Sequence, residues 1–326
     1  MTPRWLLIPS MIAILFAAGA LPAQAQDYPT RNATIVVPFA PAGGTDILAR
    51  MCAHALEQRF GRSFVVENRP GAGQQIGVSA VARAAPDGYT LLMATSSAMA
   101  INPTLYKKLS YDPVKDLMPV AMVGHLPFVL VVTPSLPVTS VAELVAYLKA
   151  NPGKLSYGSG GVGASHHLYG EMFNSLAGVK MTHVPYKGTV PALNDVIAGH
   201  IQVLFSDAPP ALPQITGGKV RALGVTTAKR IEVAPDIAPI NDTVKGFDTA
   251  PWQMLMAPAG TPAPVIDKLH KELVAYIAST EGQKKLKEMG LVPGAPTPPA
   301  ELSKLVAREV VAWGDLVKKA NAEGIE

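Results

Sequence analysis

One unit recurs along this chain and constrains it more than any other feature: a short apolar run, a glycine-rich turn, then a helical pattern. Val36-Val37-Pro38-Phe39 passes through Ala40-Pro41-Ala42-Gly43-Gly44-Thr45-Asp46 into Ile47-Leu48-Ala49-Arg50. Leu155–Tyr157 turns through Gly158-Ser159-Gly160-Gly161-Val162-Gly163-Ala164-Ser165 into a helical pattern over His166–Leu176. Thr182–Pro185 turns through Tyr186-Lys187-Gly188-Thr189 into Pro191–Ala198. Strands alternating with helices predict an α/β fold with largely parallel sheets, in which ligands sit at the carboxyl ends of strands. Each turn also ends at a helix start. Unpaired N–H groups and the positive dipole end there accept a carboxylate or phosphate without help from Lys or Arg.

The N-terminus reads as an export signal spanning residues 1–25. Arg4 supplies the charge, Trp5 to Leu21 the apolar stretch, and Ala23-Gln24-Ala25 the small residues of a cleavage site before Gln26. Its removal takes one basic residue and no acid, so the formal charge falls from +4 to +3. No later apolar run reaches the roughly 18 residues of a membrane helix. The basic residues are scattered, which speaks against a nucleic-acid stripe. The remaining length suits about two lobes with sizeable cores. Cys52, the only cysteine, shares an apolar helical stripe with Leu48 and Leu56 and reads as a buried small hydrophobe.

Further strands are expected at Thr34–Phe39, Phe64–Glu67, Tyr89–Ala94, Phe128–Val132, Ile201–Phe205, Val220–Thr226 and Trp252–Ala257. Helices are expected at Thr45–Phe60, Ile76–Ala84, Val141–Ala150, Val265–Ser279 and Ala300–Ala320. Thr45 is placed as N-cap of the first helix, with Asp46 in its first turn.

Three chemistries compete with simple binding. Gly158-x-Gly160-x-x-Gly163 matches the dinucleotide fingerprint, but no acid follows about 20 residues on to hold a ribose. His166, His167 and Glu171 are the nearest metal set, without a His-Glu-x-x-His pattern. A secreted serine hydrolase using Ser159 or Ser165, with Asp207 as a triad member, stays open as the alternative, though no Gly-x-Ser-x-Gly elbow is present.

The chain resembles the extracytoplasmic receptors of tripartite tricarboxylate transporters, the Bug-type solute-binding family. The resemblance runs through Val37-Pro38-Phe39-x-x-x-Gly43-Gly44-x-Asp46-x-x-Ala49-Arg50, Glu67-Asn68-Arg69-Pro70-Gly71-Ala72 and Pro86-Asp87-Gly88-Tyr89-Thr90-Leu91. It continues through Asn102-Pro103, Tyr157-Gly158-Ser159-x-Gly161-x-Gly163, His183-Val184-Pro185-Tyr186-Lys187-Gly188 and Arg221-Ala222-Leu223. It implies a two-lobed periplasmic-binding-protein fold (a Venus flytrap, type II-like) with two crossovers. The lobes would be 26–123 with 247–326, and 124–246. It also implies a soluble, monomeric periplasmic receptor that is no enzyme and needs no cofactor or metal. Such a receptor closes on a small carboxylate and delivers it to inner-membrane transporter subunits; a signalling role is the other reading. Carried onto this chain, the ligand contacts are Ala42, Gly43, Gly44, Ser96 and Ser97 in the first lobe. In the second they are Ser159, Gly160, Gly163, Ser165, Tyr186, Lys187, Gly188, Thr189, Ser206 and Asp207. Where the family carries Gly-Asn, this chain has Gln74-Gln75, so that wall of the pocket is expected to differ. The turn Ala42–Thr45 is expected to hold the ligand carboxylate through peptide N–H groups, with Arg50 dispensable.

Overall fold

The computed structural model describes residues 28–319 and 324. The expected export signal at 1–25 lies outside the described residues. In chain order the first sheet receives β1 (Ala33–Val37), α1 (Gly44–Phe60), β2 (Phe64–Asn68), α2 (Gln75–Ala82), β3 (Thr90–Thr95), α3 (Asn102–Leu105) and β4 (Leu117–His125). The chain then crosses through Leu126-Pro127 into β5 (Phe128–Val132), α4 (Val141–Ala150), β6 (Ser156–Ser159), α5 (Ser165–Ala177), β7 (Thr182–Pro185), α6 (Thr189–Ala198), β8 (Val203–Asp207), α7 (Ala208–Thr216) and β9 (Arg221–Val225). It returns through residues 226–251 to β10 (Trp252–Pro258), α8 (Ala263–Ala278), α9 (Thr280–Glu288), β11 (Val292–Pro293) and α10 (Pro299–Lys319).

The result is two lobes, each built on one sheet. The strand orders are β11-β4-β10-β3-β1-β2 and β7-β6-β8-β5-β9. Both sheets are mixed rather than largely parallel. β1 runs parallel to β2 and β3, and β6 to β7 and β8. β10 runs antiparallel to β3 and β4, and β5 to β8 and β9. The reversal follows from the crossovers. Strands fed by a helix on their own sheet end at the interlobe face, whereas β5 and β10 arrive from the other lobe and start there. Phe128 accordingly faces Asp207, and Gln253 faces Thr95.

Apolar residues alternate between the two faces of each sheet, and helices cover both. Ile35 and Val37 join Leu48, Cys52 and Leu56 of α1 and Leu269 and Leu273 of α8, while Val36 on the other face joins Val78 of α2 and Leu302 of α10. In the second lobe Leu130 and Val132 pack with Leu144 and Phe173, and Val129 and Val131 with Leu193 and Ala211. Covering both faces explains why these strands read as continuous apolar runs. Cys52 is fully buried, and burial pushes its thiol up to about 12.

Five elements were not expected: α3, β4, α7, α9 and β11. β4 contains Pro119 and Gly124, which break a strand pattern; Pro119 sits where β10 is paired across a register shift. α7 carries Pro209, Pro210 and Pro213, two of them tolerable because a first helical turn has no N–H partner to lose. α9 follows α8 directly, capped by the Ser279 hydroxyl accepting from Gly282 N–H at 3.1 Å.

Candidate functional site

The turn between β1 and α1 is shaped by one carboxylate. Asp46 accepts from Ala42 N–H at 2.8 Å, from the Arg50 guanidinium at 3.0 and 3.1 Å, and from Asn68 Nδ2 at 2.9 Å. Ala42 adopts a left-handed φ of 67°, held there by that amide bond. Burial alone would raise the Asp46 pKa, but Arg50, Ala42 N–H and Asn68 outweigh it and hold the carboxyl below its ordinary range. Arg50 therefore clamps the turn. Helix α1 begins one residue earlier than expected: Gly43, not Thr45, is its N-cap, and no side chain of the turn caps it.

The cap comes from the other lobe. Gly44 N–H donates to Asp207 Oδ2 at 2.8 Å across 163 positions of sequence. Thr189 Oγ1 donates to the same oxygen at 2.7 Å, and His166 Nε2 lies 3.1 Å from Oδ1 and 2.6 Å from Thr189 Oγ1. Asp207 is buried; desolvation would raise its pKa, yet His166, Gly44 N–H and Thr189 hold it below the ordinary carboxylate range. The anion at the start of α1 is thus a carboxylate of the protein itself. Of the N–H groups expected to hold a ligand anion over Ala42–Thr45, two are engaged within the protein: Ala42 N–H serves Asp46 and Gly44 N–H serves Asp207. A Cβ on Gly44 would lie 2.9 Å from Leu126 Cδ2 and 3.0 Å from Asp207 Cβ, so the glycine permits lobe contact there.

Other contacts join the lobes. Ala40 N–H donates to Lys187 O at 3.0 Å, and Tyr106 Oη to Val162 O at 2.9 Å. Tyr169 Oη of the second lobe lies 2.9 Å from Thr249 Oγ1 of the returning crossover. Gly188 packs on Ala40 and Gly163 on Asn102 and Tyr106, approaches that a side chain would block.

Between these contacts lies a cleft of about 350 Å³ with walls from both lobes. The first lobe contributes Pro38, Tyr106 and the loop Gly71–Gln75; the second contributes Gly160, Gly161, Val162, Tyr186 and Lys187. Loop Gly71–Gln75 is strained: Ala72 and Gln74 take left-handed φ values of 44° and 78°, which cost a non-glycine residue about 1–2 kcal/mol each. Tyr186 Oη donates to Asp195 Oδ2 at 2.6 Å and is spoken for. Lys187 is exposed and is the only charged side chain lining the cleft among the described residues; no acid lines it. A second cavity of about 100 Å³ lies beside the crossovers, lined by Ser96, Ser165, Tyr169, His125, Thr249, Trp252 and Glu309 among others.

The sequence-derived site residues therefore separate. Gly160, Tyr186 and Lys187 line the cleft, and Ser96 and Ser165 the smaller cavity. Gly43, Gly44, Thr189 and Asp207 meet at the interlobe carboxylate, Gly163 and Gly188 at close lobe contacts, and Ala42 at Asp46. Ser97 turns to Gln74, and Ser206 Oγ donates back to Asp207 O at 3.2 Å from a fully buried strand. Ser159 is fully buried; its Oγ accepts from Gly161 N–H at 3.1 Å and lies 2.6 Å from His183 Nε2. Burial, with His167 alongside, pushes His183 down to about 3. A Ser–His pair thus exists, but inside the turn that shapes the cleft rather than on its surface. His167 stacks on His183 at 4.1 Å between ring centroids. Tyr106 and His166 were missed as site residues; Gln74 and Gln75, expected only as a departure in the pocket wall, do line the cleft.

Three comparisons bear on this geometry. The family described as tripartite tricarboxylate transporter family receptor matches residues 48–322. BugT of Bordetella pertussis is 34% identical over 96% of each chain. Among solved structures, R. palustris Rpa4515 with adipate superposes at a TM-score of 0.88 and 38% identity, over 92% of this chain and 100% of that one. MatC from Rhodopseudomonas palustris with bound malate superposes at 0.84 and 31% identity, over 89% of this chain and 100% of that one.

Proposed function

This chain belongs to the receptors of the tripartite tricarboxylate transporter family, and from that premise we propose that it is a periplasmic receptor closing on a small organic diacid. The ligand sits in the cleft between Gly71–Gln75 and Gly160–Val162, and the receptor hands it to the transporter's membrane subunits. Among the described residues no helix is long and apolar enough to cross a membrane, so those subunits supply the membrane path.

The observation that carries the reading is the charge of the cleft. Among the described residues Lys187 is the only charged side chain of its lining, which is otherwise rich in glycine backbone from both lobes. Such a lining neutralises an anion with one ammonium and peptide N–H groups. Two structural relatives hold the diacids adipate and malate. The remaining candidates, Ser96 and Ser165 at the smaller cavity, act on the part of a longer ligand nearest the crossovers. Closure follows from the ligand touching both lobes, since only differential affinity for the closed form shifts that equilibrium. The moving units are 26–123 with 247–326, and 124–246.

Calorimetry on ligand-free protein with malate, succinate and adipate, and with adipamide as the uncharged control, tests this. Saturable 1:1 binding of at least one diacid and none of the diamide is expected. Lys187→Ala should weaken the bound diacid about tenfold, the size of one charge-assisted hydrogen bond of roughly 1.5 kcal/mol. Equal binding of diacid and diamide, or none of either, overturns the reading. Co-purification with the membrane subunits tests delivery.

A further inference from the structure

The loop Gly71–Gln75 is the most strained segment of the described chain. Four successive residues, Gly71, Ala72, Gly73 and Gln74, hold positive φ values of 126°, 44°, 58° and 78°. Two of them are not glycine, so local preference opposes the loop and something outside it must hold it. The whole loop lines the interlobe cleft.

We propose that Gln74 is the positioning residue of this cleft wall. Its side-chain amide ties the left-handed loop to the end of β3 and thereby fixes the shape that a ligand meets. The proposal rests on the reading of the cleft as the ligand site. Gln74 is buried at 2% exposure, and both ends of its amide are engaged. Nε2 donates to Ser97 Oγ at 3.0 Å, and Oε1 accepts from Thr95 Oγ1 at 2.6 Å. Thr95 and Ser97 hydroxyls lie 3.0 Å apart, which closes a three-membered ring of polar groups. Thr95 Oγ1 also accepts from Ala98 N–H at 3.2 Å, anchoring that ring to the backbone after β3. The loop has a second tie, from Asn102 Nδ2 to Gly73 O at 2.8 Å.

A side chain with a donor and an acceptor on one planar head suits this ring. Glutamate would bring a charge into a buried site, and methionine of similar length would leave Thr95 and Ser97 without their partner. The same ties explain why Ser97 is withdrawn from the cleft. They also account for a non-glycine residue at a φ of 78°: the strain is held by side-chain bonds that glycine could not make.

Gln74→Gly relieves the backbone and removes both bonds, so it is expected to fold. Gln74→Met keeps the backbone demand and removes the bonds, and Ser97→Ala removes one of them. Hydrogen exchange on ligand-free protein reads the loop directly. Amides over residues 69–82, including Gln75 N–H bonded to Ala72 O, should exchange at least tenfold faster in Gln74→Gly and Gln74→Met. Those of β1 and β5 should be unchanged. Ser97→Ala should fall between. Wild-type exchange over residues 69–82 in Gln74→Gly overturns the proposal.

Calorimetry adds a readout that mere stabilisation would leave alone: the ratio of malate to adipate affinity should change at least threefold in Gln74→Gly. An unchanged ratio also overturns it. If the wild-type protein binds neither diacid, the functional reading fails, while the exchange experiment still decides the role of Gln74.

Discussion

Removing the Asp207 carboxylate should loosen the contact between the lobes more than it destabilises either one. In the structure Asp207 accepts from His166, Thr189 and Gly44, and only the last belongs to the first lobe. In Asp207→Ala the His166 and Thr189 groups, 2.6 Å apart, still pair with each other. One buried donor is then left over inside the second lobe, at a cost of about 1–3 kcal/mol. Across the cleft, Gly44 N–H loses a charged acceptor and α1 loses the anion at its N-terminus. These are two views of one interaction, worth together about 2 kcal/mol, or roughly thirtyfold in the closed-to-open ratio. Asp207→Asn keeps the volume and one acceptor oxygen, so it should lose about half of each effect. Urea unfolding measures the first quantity and small-angle scattering of ligand-free protein the second. Asp207→Ala with a wild-type urea midpoint and a wild-type radius of gyration would show that the buried carboxylate joins nothing that matters.

Gly73→Ala should disfavour closure outright. Gly73 has a φ of 58°, and a Cβ there would run into the Tyr106 hydroxyl and lie 2.8 Å from Val162 O of the opposite lobe; scattering should report a more open particle, and an unchanged one refutes the contact. Acid should destabilise the protein from about pH 6.5 downward. Burial depresses His183 to about 3 and also lowers His167, from 6.5 in each case, so the unfolded chain takes up protons in that window that the folded chain refuses. Each histidine adds a slope of at most about 1.4 kcal/mol per pH unit, diminished by partial exposure. Below about pH 3.8 the depressed Asp207 adds a further loss, because its stabilisation is present only above that value. Urea midpoints of wild type and His183→Gln between pH 4 and 8 check this, and parallel curves sink it. Cys52, with its thiol pushed up to about 12, should resist a thiol reagent for hours in the folded protein and react at once in denaturant; rapid native labelling would contradict its burial.

The local units of the fold were legible because their rules act over a few residues. Ile35, Val36 and Val37 announce a strand covered on both faces, and Leu48, Cys52 and Leu56 the inward stripe of α1. Glycines 43, 44, 71, 73, 160, 163 and 188 mark several of the loops that reach the interlobe face. β4 was hidden by Pro119 and Gly124, whose cost falls away only once β10 and the covering helices are in place.

What these loops do on meeting was decided by tertiary structure alone. The start of α1 reads as an anion site at any distance from the rest of the chain, and the sequence settled that much. That its anion is Asp207, 163 positions away, depends on the sheet order that ends β8 opposite α1 and on the crossovers that bring the two lobes face to face. The same holds for the serines. Ser96, Ser97, Ser159 and Ser165 look alike in sequence, yet two line a cavity, one holds Gln74 and one holds the Gly161 turn. Hydrogen-bond capacity is a property of the residue, whereas the partner is chosen by which backbone the fold brings within 3 Å.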